Sequence, residues 1–167
     1  MTLRHPHVLL SSLIALTVTF AGCASTEVVS TPANVVVAAG AQAELSTFTK
    51  LIKQAGLEST LEGAGPVTVF APSDEAFKAM PAAALDKLAK DPVHLKAVLN
   101  YHVLPGLMKA ADFEGSKQIT TANGAKATVA KAGDFVTIDE ALVTKADITS
   151  GNGVIHVIDR LLTPPKK

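Results

Sequence analysis

The sequence predicts a single α+β domain. Apolar residues recur at helical spacing in the first half of the chain, whereas the second half alternates between short apolar runs and glycine turns. Helices first and strands later is typical of the α+β class. The chain has 167 residues, no Trp and one Tyr, so its core must be mainly aliphatic.

The domain is predicted to begin with a short helix over residues 34–39 and an amphipathic helix after it. Gly56 is placed to end the second helix, since glycine readily adopts the left-handed conformation found there. The apolar positions that predict the amphipathic helix are spaced one turn apart, at Leu45, Phe48, Leu51, Ile52 and Ala55.

A buried strand is predicted at residues 67–70, and Pro72 ends it. Ser73 is then placed to cap the next helix, because its hydroxyl can accept a free backbone N–H. Asp74 and Glu75 follow in the first turn, where the helix dipole favours negative charge. This polar cluster therefore has a structural explanation.

Two more helices are predicted before the chain becomes strand-rich. Leu85 and Leu88 mark a short helix, and Asp91-Pro92 provides a cap and a first helical residue for the next. Residues 101–104 are predicted to form a strand closed by Pro105-Gly106.

The second half predicts a series of strands. Asn123-Gly124 indicates a two-residue hairpin loop, because both residues tolerate positive φ. Gly133-Asp134 and Asn152-Gly153 are further turns. The last run is nearly all apolar, which favours a central strand. The predicted strands are 118–122, 125–129, 135–138, 141–145 and 154–162.

The N-terminus has the pattern of a targeting segment. Arg4 is the only charged residue in 1–22, and the apolar run of residues 8–20 is shorter than the roughly 20 residues that span a membrane. Residues 1–22 are therefore predicted to be a signal peptide. Its end, Ala21-Gly22-Cys23, resembles a bacterial lipobox, with Phe20 where that pattern prefers Leu.

Cys23 is the only cysteine and is the predicted lipidation site, which would attach the protein to a membrane. Residues 23–33 are then the lipidated cysteine and a tether, and residues 34–165 are the domain. The alternative is an ordinary secretory signal cleaved nearby. Ala24, rather than Asp, follows the cysteine and favours the outer membrane where one exists.

The charge balance argues against a nucleic-acid partner. Removal of residues 1–22 leaves 14 basic and 15 acidic residues, a net charge of −1. Proteins that bind phosphate backbones carry an excess of Lys and Arg, and this chain has none.

His102 and His156 lie in apolar runs and are predicted to be buried, neutral and hydrogen-bonded. Neither belongs to a metal-binding motif, and Ser73 lacks the glycines of a nucleophile elbow. We therefore predict no catalytic, cofactor-binding or metal-binding residue and no cofactor. Asp159 is expected to bind backbone N–H groups or a distant cation.

Three segments together resemble the fasciclin domain family. Residues 67–77 and 153–164 are similar to its two signature segments, and Asn100–Leu104 to its central Tyr-His motif. The resemblance covers roughly residues 34–165 and implies a wedge-shaped β-sandwich with a helical layer. Within the family, the chain resembles the single-domain bacterial members that are secreted proteins or lipoproteins. The resemblance implies a role in adhesion or in interaction with a partner.

The resemblance also implies candidate interaction residues. In some fasciclin domains receptor binding is assigned to the Tyr-His segment and to an Asp-Ile pair. The matching residues here are Tyr101, His102, Asp147 and Ile148, of which the first two have a competing explanation as core.

We expect a non-catalytic cell-envelope module that binds an unknown protein or glycan partner. The alternative is a periplasmic small-molecule-binding or envelope-sensing lipoprotein. The expected location is the cell envelope, as an outer-membrane lipoprotein or a periplasmic or secreted protein.

Overall fold

A computed structural model describes residues 34–63 and 65–165. The predicted signal peptide (1–22) and tether (23–33), including Cys23, lie outside the described residues. Six helices are described: α1 Val35–Gly40, α2 Ser46–Ala55, α3 Glu58–Gly63, α4 Asp74–Lys78, α5 Ala82–Lys90 and α6 Pro92–Tyr101. The seven strands are β1 Val67–Pro72, β2 Val103–Pro105, β3 Ser116–Thr120, β4 Lys126–Ala132, β5 Phe135–Ile138, β6 Ala141–Thr149 and β7 Gly153–Ile158.

The helix ends follow the local signals in the sequence. Gly56 has φ +64° and ends α2 in the left-handed conformation. The Ser73 hydroxyl accepts a hydrogen bond from the Ala76 N–H at 3.2 Å, and the Asp91 carboxylate accepts from the N–H of His94 at 3.0 Å. These caps satisfy backbone donors that have no partner within the helix.

The seven strands form one mixed sheet in the order β2-β1-β7-β6-β5-β4-β3. β1 and β7 are parallel neighbours, and the other pairs are antiparallel. β7 is an interior strand with all six residues buried, so the prediction of a central strand is confirmed. The sheet curls back on itself, so that its two edge strands, β2 and β3, come together. Just after β3, the Ala122 N–H donates to the Val103 carbonyl of β2 at 2.8 Å.

The curled sheet gives the domain two cores. Val69 of β1 and Ile155 of β7 face the helices and pack with Phe48 of α2. Phe70 and Ile158 face the opposite way and pack against the strands of the other half of the sheet. Both faces of β1 and β7 are therefore buried. The predicted α+β sandwich with a helical layer is confirmed.

The strand prediction for residues 101–104 is partly wrong. α6 continues through Tyr101, and the His102 N–H still donates to the carbonyls of Val98 and Leu99. The strand begins only at Val103. The apolar run suits a strand and a buried helix end equally, and the cap hydrogen bonds decide for the helix.

Other boundaries also differ. The 123–124 loop has three residues rather than two: Gly124 has φ +78°, Asn123 does not have positive φ, and Thr121 pairs with Ala125. The last strand ends at Ile158 rather than residue 162. Helix α3 was not predicted, because its six residues bury only Leu61 and show no helical apolar repeat.

Candidate functional site

Tyr101 lies at the end of α6 with 2% of its surface exposed. Its hydroxyl donates to Asp139 Oδ2 at 2.7 Å and also lies 3.1 Å from the Lys126 carbonyl oxygen. Burial raises the pKa of Tyr101 well above its usual value, and the Asp139 carboxylate raises it further. The side chain is a neutral hydrogen-bond donor that ties α6 to the sheet.

His102 is completely buried and joins α6 to the C-terminal segment. The Leu162 N–H donates to Nε2 at 3.0 Å, and Nδ1 lies 2.8 Å from the Val98 carbonyl oxygen. Since Nε2 accepts, the proton must be on Nδ1, which donates to Val98. Burial lowers the pKa of His102 to about 4, and the Val98 carbonyl opposes this only in part.

His156 is also completely buried, with the opposite tautomer. Nε2 donates to the Met108 carbonyl at 2.9 Å, and Nδ1 accepts from the Asp147 N–H at 3.3 Å. The ring stacks on Phe70 and meets the edge of Phe113, with centroids 5.4 and 5.8 Å away. Burial lowers the pKa of His156. The prediction of buried, hydrogen-bonded histidines is confirmed for both.

Asp147 and Ile148 lie where β6 changes register against β7. Asp147 has φ +58°, an exposed carboxylate, and an Oδ1 that accepts from the Ala110 N–H at 2.8 Å. Ile148 is half-buried and packs against the helix-side core. This bulge places the Asp147 N–H against His156 Nδ1. The sequence did not predict this contact.

The four candidate interaction residues thus occupy different environments. Tyr101 and His102 are inside the domain and brace it, whereas Asp147 is on the surface and Ile148 is half-exposed. A direct contact of His102 with a partner would require the domain to open, because its side chain is completely buried. The interaction role of the four residues stays a prediction.

The sequence did not predict two polar side chains that join distant segments of the fold. Asp139 has φ +49°, and its Oδ1 accepts from the Thr128 N–H at 2.8 Å while Oδ2 binds Tyr101. Asn152 accepts from the Val35 N–H and donates to the Leu61 carbonyl, at 2.8 and 2.7 Å. The signal for Asp139 was an aspartate in a short turn between strands.

A polar groove of about 360 Å³ opens beside Tyr101 and Asp139. Lys126 comes from the start of β4 and Arg160 from the segment after β7, and both are exposed in its wall. Leu162 and Pro165 add apolar surface. The groove therefore combines both signs of charge with an apolar side.

Two general features of the described residues bear on function. Across residues 34–63 and 65–165, no three His, Cys, Asp or Glu side chains are grouped to hold a metal ion. In the same part of the chain, no helix is both long and apolar enough to cross a membrane.

Asp159, as expected, binds backbone: its Oδ1 accepts from the Leu142 N–H at 2.7 Å.

Comparison with known proteins identifies relatives of this arrangement. The fasciclin domain model matches residues 43–164. Protein sll1483 of Synechocystis is 39% identical over 131 residues, which are 77% of this chain and 72% of that protein. The cell surface glycolipoprotein MPB83 of Mycobacterium bovis is 36% identical over 126 residues, 72% of this chain and 56% of that protein.

A solved structure has the same fold. The FAS1 domain pair from the insect cell adhesion molecule fasciclin I superposes with a TM-score of 0.65 at 21% identity. The match covers 78% of this chain and 51% of that one. The fold of the described domain is therefore that of a FAS1 domain.

Proposed function

The chain belongs to the fasciclin domain family, and from this premise we propose that it is a non-catalytic module of the cell envelope that binds a protein or glycan partner. Its relatives include a protein named as a cell surface glycolipoprotein. A structural relative of the same fold comes from a cell adhesion molecule. Both support a surface role outside the cytoplasm, which agrees with the predicted signal peptide.

The observation that carries the proposal is the burial of Tyr101, His102 and His156, whose side chains bond to other parts of the domain. An acid, base or nucleophile must reach its substrate, and these three rings are buried, with hydrogen bonds to partners inside the domain. Each joins separate segments of the chain. These contacts stabilise the fold, and we propose that the exposed side chains act by binding.

The test is binding of the purified full chain to cell-envelope fragments of the producing organism. Saturable binding by the folded protein, lost after thermal unfolding, is the expected result. A protein whose folded and unfolded forms bind equally weakly would contradict the proposal. His94→Ala, an exposed change on α6, serves as a control that should bind normally.

The groove beside Tyr101 favours a second candidate, a periplasmic small-molecule-binding or envelope-sensing lipoprotein. A volume of about 360 Å³ lies within the range of small-ligand sites. This function predicts that a small-molecule extract of the envelope raises the melting temperature of the wild type. Arg160→Ala, which removes a cation from the groove wall, should abolish that rise.

A further inference from the structure

The outer face of β3, β4 and β5 is a second surface that no candidate residue occupies. Strand register fixes which side chains share it: Gln118 lies opposite Thr128, and Ala130 opposite Thr137. The alternate residues, such as Ile119 and Ile138, point inward to the sheet core. The side chains on the outer side are exposed or half-buried throughout.

This face is hydrogen-bonding but almost uncharged. On these three strands Lys126 is the one outward-facing residue that carries a charge. By contrast, helix α5 alone exposes Asp86, Lys87 and Lys90. The outward polar side chains are hydroxyls and one amide, from Ser116, Gln118, Thr120, Thr128 and Thr137.

Phe135 stands at one end of the face, opposite Ala132 and beside the Gly133 turn. Its side chain is 66% exposed, although burial of a Phe side chain would stabilise the fold. An exposed aromatic ring offers a flat apolar surface with a polarisable face. The C–H faces of sugar rings stack on such surfaces.

The spacing of the face suits an extended ligand. Neighbouring strands are about 4.8 Å apart and alternate residues about 7 Å apart, so hydroxyl and amide groups recur in two directions. A polyanion would need several cations, and the face has Lys126 alone. The core of a protein–protein interface is richer in aromatic and apolar groups than this face is.

We propose that this outer face of β3–β5 docks a neutral polysaccharide, whose hydroxyls bond to the Thr, Ser and Gln side chains while one sugar ring stacks on Phe135. The proposal rests on the proposed envelope-binding function and names the chemistry of its partner. It requires no movement of the buried Tyr101 or His102.

The experiment is co-sedimentation of the full chain with insoluble cellulose and chitin, two neutral polysaccharides, and measurement of the protein left in solution. Wild-type protein should be depleted. Phe135→Ala and Thr128→Glu, which remove the ring and add a charge to the face, should each weaken binding at least tenfold. Val93→Ala is the matched control, because Val93 is 78% exposed on α6, away from this face.

Melting temperatures are measured for every variant, and Gln118→Glu provides a second charge insertion if Thr128→Glu does not fold. The proposal is overturned if neither polysaccharide depletes the wild type, or if Phe135→Ala binds as well as Val93→Ala. It is also overturned if ultracentrifugation shows a dimer that Phe135→Ala abolishes, since a second copy would then cover the face.

The envelope-binding function is tested separately by the same variants. If Phe135→Ala and Thr128→Glu still bind envelope fragments like the wild type, this face is excluded while the function stands. If the wild type binds no envelope fragment at all, the proposed function itself fails.

Discussion

His102 accepts a hydrogen bond from the backbone N–H of Leu162 at 3.0 Å, sixty residues further along the chain. The same ring donates from Nδ1 to the Val98 carbonyl. One buried side chain thus holds the end of α6 to the C-terminal segment. It requires a neutral ring, because a protonated Nε2 could not accept from Leu162.

His102→Ala should therefore destabilise the protein by about 2–4 kcal/mol, from an unsatisfied Leu162 N–H and a cavity. Urea denaturation of the purified protein measures the change. His94→Ala is the control, since His94 is exposed on the same helix and should leave the midpoint within error. Equal denaturation midpoints for both variants would mean that the His102 ring does not stabilise the fold.

The stability should also fall at mildly acidic pH. The pKa of His102 is about 4 when folded, against an ordinary value of 6.5, so the unfolded chain binds the proton first. The contribution of the neutral His102 ring to the free energy of unfolding is complete above pH 6.5. It is lost as the pH falls towards 4, by up to about 3 kcal/mol. His156 acts in the same direction.

The stability difference between the wild type and His102→Gln isolates this effect, since other titrating groups are common to both. We expect that difference to shrink between pH 6.5 and 4. A constant difference across the window would show that His102 does not titrate on unfolding.

Gly153→Ala should be strongly destabilising. A Cβ at Gly153 would collide with the Val67 carbonyl oxygen of the parallel neighbour β1. Overpacking of this kind costs about 1–3 kcal/mol or more. The control is Gly65→Ala, where a Cβ meets nothing within 4 Å, and thermal melting of both variants gives the comparison. Similar melting temperatures would contradict the close approach of the two strands.

Gly124→Val should lower stability by about 1–2 kcal/mol, because a β-branched residue resists the positive φ of +78°. Chemical denaturation measures the loss. Gly65→Val, at a position without positive φ, should cost less. An unchanged midpoint for Gly124→Val would place the β3–β4 hairpin turn elsewhere.

Cys23→Ser should abolish fatty-acid labelling and release the protein from membranes, because Cys23 is the only cysteine that could carry the lipid. Expression in a bacterial host with labelled palmitate, followed by fractionation, makes the measurement. Ser25→Ala is a suitable control that leaves the cysteine intact. A wild-type protein that is unlabelled and soluble would favour the ordinary secretory signal.

The sequence by itself determined the features that depend on neighbouring residues. The amphipathic spacing of α2, the caps at Ser73 and Asp91 and the left-handed Gly56 each act over a few residues of backbone. The burial of His102 and His156 was also predictable, since a polar ring within an apolar run has little access to solvent.

Only the tertiary structure decided which distant residues meet. β1 lies parallel to β7 although Val69 and Ile155 are 86 residues apart in the sequence, and no local pattern specifies that pairing. The hydroxyl of Tyr101, at the end of α6, reaches Asp139 on a later turn of the chain. Asp147 meets His156 only through a bulge in β6. Such contacts depend on how the sheet curls, because a strand's alternation specifies its faces but not its neighbours.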